Sequence, residues 1–486
     1  MSTLALCILL YLALSIGIGL YAARRVHSST DFVLAGRSLP IYVTIATVFA
    51  TWFGSEAVLG IPATFIDEGL GGVVADPFGA GLCLVFVGMF FAARLYRMQL
   101  MTIGDFYRQR YGRTVELLVS MAICISYLGW VAAQVVALGL VIDLVTGGMI
   151  GTEWGMVIGI GAVMLYTLFG GMVSVAIMDF IQMLLILCGL VAVAFIVSGQ
   201  VDGGATAVIQ HASDANKFDF WPELSLEAIL AFIGGFITLA LGSIPQQDVF
   251  QRVMSAKDEK TAVRGTVIGG SFYIIFCFIP VFITYAAIMV DPSLLAQHMV
   301  DGGDTQRILP EYILAEVPLV IQILFFGALL SAIMSTASGT LLAPSAIIAE
   351  NILKDPLNLS DRGLLLTLRL CVFAFGLIVL AYGYLSSTAG LTIFEMVENA
   401  YLVTLCGAFV PLVFGVYWSR ATNQGALLSI ILGVTSWASF EAINLGLTAK
   451  ELPLLIVPPQ LIGLIMAIIG MIIGSLLSNR TQRVTA

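Results

Sequence analysis

The sequence predicts an all-α polytopic membrane protein, and three observations predict it. Hydrophobic residues make up 59% of the chain and charged residues only 10%. The mean hydropathy is +1.03. Apolar runs of about 20 residues, the length that crosses a bilayer as a helix, recur about thirteen times. They fall near residues 3–23, 40–66, 75–98, 115–146, 154–172, 174–199, 227–249, 265–290, 318–350, 364–386, 392–417, 423–446 and 456–478. The net charge of −9 is divided between two membrane faces rather than gathered into a patch, so no nucleic-acid partner is expected. Residues 1–486 read as a single membrane domain with no further domain at either end.

The first run has no basic segment before it and is followed at once by Arg24 and Arg25, which predicts a retained helix with its N-terminus outside. With that orientation only Lys217, Arg307 and Lys450 of the 21 basic residues fall on the outer face. The rest lie inside, a strong positive-inside signal, and Arg480 and Arg483 then place the C-terminus in the cytoplasm.

The second run carries Ala50-Thr51-Trp52-Phe53-Gly54-Ser55-Glu56 in its middle, with Gly60 and Pro62 just beyond. A carboxylate at that depth costs about 2.5–3.5 kcal/mol, so Glu56 must face a cavity or a partner, and the glycine predicts an unwound segment with free carbonyls. Asp76 and Pro77 open the third run, where they can line an outer access path. Thr102 to Arg113 reads as a surface helix, and the fourth run brings Trp130 and Gln134 one turn apart. The outer loops Gln200 to Leu226 and Asp291 to Pro318 are predicted to fold as short helices over the extracellular mouth.

The seventh run ends in a comparable interruption, Gly242-Ser243-Ile244-Pro245-Gln246-Gln247-Asp248. Arg252 to Arg264 then reads as a solvated connector. Two broken spans lying five apart predict an inverted repeat: residues 40–199 as the first copy, 227–417 as the second, 3–23 as an added helix and 423–478 as two C-terminal helices. In the ninth run Ser331, Ser335 and Ser338 fall at i, i+4 and i+7, with Thr336 beside them, so the hydroxyls share one helix face. Such a face turns toward another helix, a polar cavity or an ion. Glu395 and Glu398, three apart on the eleventh run, belong either to an outer gate or to the membrane surface. Seven cysteines without a CxxC pair and three scattered histidines suggest neither a disulfide framework nor a site of the zinc kind.

Four segments resemble, in order, the signatures of the sodium/solute symporter family: Ser28 to Pro40 (SSTDFVLAGRSLP), Gly170 to Gln182 (GGMVSVAIMDFIQ), Gly242 to Val253 (GSIPQQDVFQRV) and Ala332 to Thr336 (AIMST). The resemblance implies a LeuT-type fold of five-plus-five inverted repeats, secondary active transport by alternating access, and a multi-pass plasma-membrane location, here a bacterial inner membrane. It also implies a sodium ion held between the second and ninth spans by Ala50, Phe53, Ala332, Ser335 and Thr336. Neutral oxygens suit a hard monovalent cation. For a second sodium, as some members have, Asp179, Ser335 and Ser338 match, but Gly339 stands where a further hydroxyl is expected.

For the solute, Trp52 and Trp130 resemble part of the aromatic cage of the choline-transporter branch, in which rings hold a quaternary ammonium. Ala80 and Gln246 stand where that branch has a tyrosine and another tryptophan. Gln246 and Gln247 instead offer amides at a broken helix, and Glu56 and Gln134 complete the candidate solute residues. The expected solute is therefore a small amino acid, a betaine or choline-like compound, or a carboxylate. No HExxH or GxSxG motif points to an enzyme. The competing reading is a membrane solute sensor, which would require a separate signalling partner.

Overall fold

The computed structural model describes residues 2–298, 305–388, 393–448, 450, 452 and 455–478. Among these, regular structure is helical apart from one parallel bridge between Leu39 and Ala256. Among the described residues nine helices are long and apolar enough to cross a membrane, or eleven when each of two bent pairs is taken as one span. In chain order the elements that matter below are α1 (Thr3–Ala22), the broken pair α2 (Ile41–Trp52) and α3 (Glu56–Glu68), α4 (Val74–Arg97), the surface helix α5 (Ile103–Tyr111), α6 (Arg113–Thr146) and α7 (Thr152–Ser198). There follow α8 (Gly204–Asp214), the second broken pair α9 (Leu226–Gly242) and α10 (Gln247–Met254), α11 (Glu259–Val290), α12 (Ile308–Glu316) and α13 (Leu319–Leu353). The last are α14 (Asp361–Thr388), α15 (Ile393–Ala400), α16 (Leu402–Tyr417), α17 (Asn423–Thr448) and α18 (Pro459–Leu477).

Both sequence-predicted breaks are present. The α2–α3 pair bends by 61° and the α9–α10 pair by 45°. The surface helix begins with a capping box, in which the Thr102 hydroxyl accepts from the Asp105 N–H and the Asp105 carboxylate accepts from the Thr102 N–H. Each box satisfies two otherwise orphaned donors. The two long connecting segments carry the expected short helices, at α8 and α12.

Helix α7 covers two predicted runs. Its 47 residues would stretch roughly 70 Å if straight, more than twice the ~30 Å hydrocarbon layer. The chain turns at Gly171, where φ is 46° and ψ is −142°. A β-carbon there would lie 2.3 Å from the Phe32 carbonyl oxygen. The positive φ and the close backbone both require glycine. Gly171→Ala is expected to destabilise the fold by at least ~2 kcal/mol, read as a lower unfolding temperature and poor detergent extraction; an unchanged melting curve would show that this corner yields.

At the centre of the bundle lies α13, buried at every residue from Ala328 to Ile347. Around it stand α6 and α7, while α17 and α18 pack on each other at the periphery. That last pair approaches through small residues: a β-carbon at Gly425 would sit 2.0 Å from Ser475 Oγ, and one at Gly470 would sit 2.7 Å from the Leu428 oxygen. Without a hydrophobic drive inside lipid, such close backbone contact is what associates helices.

The segment after α10 departs from the sequence reading. Lys257 and Asp258 are exposed, as a solvated connector requires, but Arg252 is only 1% exposed. Two carboxylates, Asp179 and Asp248, draw its guanidinium inward, each 3.7 Å away. Beyond it, the chain is fastened to the start of α2: Leu39 N–H donates to the Ser255 oxygen and Lys257 N–H to the Leu39 oxygen, both at 3.0 Å.

Candidate functional site

The first break is built by diverting two backbone donors. Phe53, at φ −79° and ψ 78°, is the centre of an inverse γ-turn. Gly54 N–H donates to the Trp52 oxygen at 2.9 Å and Ser55 N–H to Gln134 Oε1 at 3.0 Å. In a continuous helix those two donors would have served Ala50 and Thr51. The Ala50 carbonyl instead accepts the Thr336 hydroxyl at 3.2 Å. The opened second span and the hydroxyl face of α13 are thus in direct contact.

That face divides into two sets. Ser331 and Ser338 bond back to carbonyls of their own helix, Gly327 and Ser335, which is the ordinary behaviour of a hydroxyl inside a helix, and the Ser331 oxygen also meets the Tyr11 hydroxyl of α1 at 2.6 Å. Ser335 and Thr336 reach out of it. Ser335 donates to Asp179 Oδ1 on α7 at 2.6 Å. Since the carboxylate takes its proton, the Ser335 oxygen keeps its lone pairs for another partner. Ala50, Phe53, Ala332, Ser335 and Thr336 are all at most 1% exposed.

Glu56 is fully buried and held on one side only. Its Oε2 accepts from Gln134 Nε2 at 2.7 Å and from the Ser55 hydroxyl at 3.3 Å, while Oε1 makes no hydrogen bond among the described residues. Gln134 therefore braces the broken segment with both ends of its amide. Next to it the rings of Trp52 and Trp130 stack, with centroids 4.7 Å apart. Tyr401 stands edge-on to both, at 5.4 and 5.5 Å, and Tyr127 stacks on the far face of Trp130 at 6.0 Å.

The second break follows the logic of the first. Gln246 N–H donates to the Ser243 oxygen at 3.1 Å rather than to Gly242, and the Gly242 carbonyl accepts the Thr404 hydroxyl at 2.8 Å. The Gln246 side chain donates to Ser126 Oγ at 2.9 Å and lies 3.4 Å from Thr404 Oγ1, with Oε1 left over. Gln247 turns elsewhere: its Oε1 accepts the Ile103 N–H at 2.8 Å, at the start of the surface helix. Asp76 is 2% exposed and accepts the Tyr273 hydroxyl at 2.5 Å, so it braces α4 against α11 rather than lining a path. The side chains of Glu395 and Glu398 lie outside the described residues.

Two members of this group escape sequence reading. Tyr401 and Thr404 are spaced i, i+3 in an apolar run, the same signal that singled out α13, but a single hydroxyl pair carries little weight. A cavity of about 620 Å³ lies between α3 and α9, lined by Gly60, Ala63, Asp67, Trp221 and Phe232 among others. It runs along the α3 half of the broken span.

Comparison with known proteins adds the following. The profile of the Sodium:solute symporter family matches residues 32–433. The chain is 27% identical over 446 residues to the human High affinity choline transporter 1, covering 88% of this chain and 75% of that one. It is 27% identical over 488 residues to the Sodium/pantothenate symporter of Escherichia coli (strain K12), covering 98% and 97%. A substrate-bound outward-open structure of a Na+-coupled sialic acid symporter superposes over 100% of both chains with a TM-score of 0.84 at 20% identity.

Proposed function

Because the chain belongs to the sodium:solute symporter family, we propose that it is a secondary active carrier of the LeuT type that uses sodium to drive uptake of a small organic solute. The solute is an amino acid, a betaine or choline-like compound, or a carboxylate. The observation that carries this reading is the meeting of the opened backbone at Ala50 with Thr336, beside Ser335. On this reading the carbonyls of Ala50, Phe53 and Ala332 and the hydroxyls of Ser335 and Thr336 bind sodium. The 3.2 Å between Ala50 O and Thr336 Oγ1 supports it: a cation with oxygens at about 2.4 Å sets neighbouring ligands roughly 3.4 Å apart.

The solute then sits at Trp52 and Trp130, with Glu56 Oε1, Gln246 Oε1, Trp52 Nε1 and the Tyr401 hydroxyl as the buried polar atoms that still need partners. Buried polar groups are ordinarily satisfied, so their convergence beside two breaks supports a ligand there. The stacked tryptophans must part to admit it, and the outer cavity beside α3 provides the path. Topologically, we take α7 as two spans joined at Gly171 and residues 393–417 as one. With the nine long helices and two bent pairs this gives thirteen crossings, an outer N-terminus and a cytoplasmic C-terminus. The repeats at 40–199 and 227–417 follow from the same reading.

One sodium falling through ~100 mV supplies about 2.3 kcal/mol, and a tenfold gradient adds about 1.4 kcal/mol. The sum concentrates a neutral solute several hundred-fold, so a single ion suffices. The test is counterflow in proteoliposomes with radiolabelled choline, pantothenate, sialic acid and a panel of amino acids, with and without sodium. Sodium-dependent exchange of one of them is expected. Exchange indifferent to sodium would reject the coupling, and specific binding without any exchange would favour a sensor.

A further inference from the structure

We propose that Arg252 is a resident cation in the second ion position, so that the protein binds one sodium rather than two. The inference rests on the sodium reading above and fixes its ion count.

The residues present do not fit a second ion beside Asp179. Gly339 brings no hydroxyl, and the space over it is taken: a β-carbon on residue 339 would lie 2.1 Å from Arg252 Nη2 and 2.6 Å from Cζ and Nη1. Ser338 donates its proton to the Ser335 carbonyl at 2.9 Å, and Ser335 donates its own to Asp179. The guanidinium, 1% exposed, fills the space over Gly339 beside Asp179. Nη2 is 3.7 Å from Asp179 Oδ2 and Nη1 is 3.7 Å from Asp248 Oδ2. Asp248 is held from its other side by the Tyr127 hydroxyl, and its N–H donates to the same oxygen at 2.9 Å.

Buried carboxylates are ordinarily compensated, and the cation that the fold itself brings to Asp179 and Asp248 is Arg252. Since the guanidinium lies at pair distance rather than hydrogen-bond distance from either carboxylate, and Nε and Nη2 make no hydrogen bond among the described residues, it is held by charge rather than by directional contacts.

The experiment is equilibrium binding of radioactive sodium to the full-length protein in nanodiscs, counted per chain. The wild type is expected to bind one ion with hyperbolic saturation. Arg252→Ala combined with Gly339→Ser removes the guanidinium and restores a hydroxyl, and is expected to bind two. Arg252→Lys keeps the charge and is expected to stay at one. Two ions bound by the wild type overturn the proposal whether or not the variants can be purified, and so does a monodisperse double variant that still binds one. No ion bound by the wild type would instead reject the sodium site itself.

Discussion

Replacing Thr336 by alanine is expected to raise the sodium concentration for half-maximal binding roughly ten- to hundred-fold. This corresponds to the ~1.5–3 kcal/mol that a hydrogen-bonding group contributes to a charge. Ser335→Ala is expected to cost more. On the proposed sodium site the Thr336 hydroxyl would serve only the ion and the Ala50 carbonyl, whereas Ser335 also satisfies Asp179 Oδ1 at 2.6 Å, and its loss strands a buried carboxylate. Thr336→Ser keeps the oxygen and should restore most of the affinity. Sodium-induced thermal stabilisation of purified protein reads all three without knowledge of the solute. If both alanine variants are stabilised by sodium as the wild type is, the ion binds elsewhere.

Gly54→Ala is expected to abolish sodium stabilisation altogether. Its methyl would lie 2.8 Å from both Gln134 Oε1 and Thr336 Oγ1 and 2.9 Å from Glu56 Oε2, so one added carbon presses on three helices where they converge. Each neighbour must retreat by several tenths of an ångström. Displacements approaching 1 Å at a preorganised site cost on the order of a hundredfold, and overpacking a buried position costs about 1–3 kcal/mol of stability. A Gly54→Ala protein with a normal sodium titration would show that the break is more pliant than its packing implies.

These two sites differ in how visible they were before any coordinates. The interruption at Gly54 and Ser55 is legible because glycine, serine and glutamate in an apolar run violate the composition of a simple span. The outward reach of Ser335 and Thr336 is half legible: periodicity puts Ser331, Ser335 and Ser338 on one face with Thr336 beside them, but which of them bond back into α13 depends on what the neighbouring helices offer. Gln247 illustrates the limit. It is chemically identical to Gln246, yet one backbone step turns it toward Ile103, more than 140 residues away in sequence. The neighbours Lys257 and Lys260 give Arg252 the look of a solvated loop residue; only the folded chain reveals the two carboxylates that pull it inward. Hydropathy divides the long apolar stretch next to Gly171, but it does not show that α7 turns at that single glycine without an intervening loop.

Leu39 grips Ser255 and Lys257 through two backbone hydrogen bonds, and this join lies at the corner where the leading end of one interrupted helix meets the trailing end of the other. Neither end can swing alone without breaking bonds that have few substitutes there. The pair is therefore yoked: a tilt imposed on α2 is delivered to α10, and with it to Arg252, which rides on α10 against Asp179. Any antibody fragment that clamped this corner would hold both broken spans still at once.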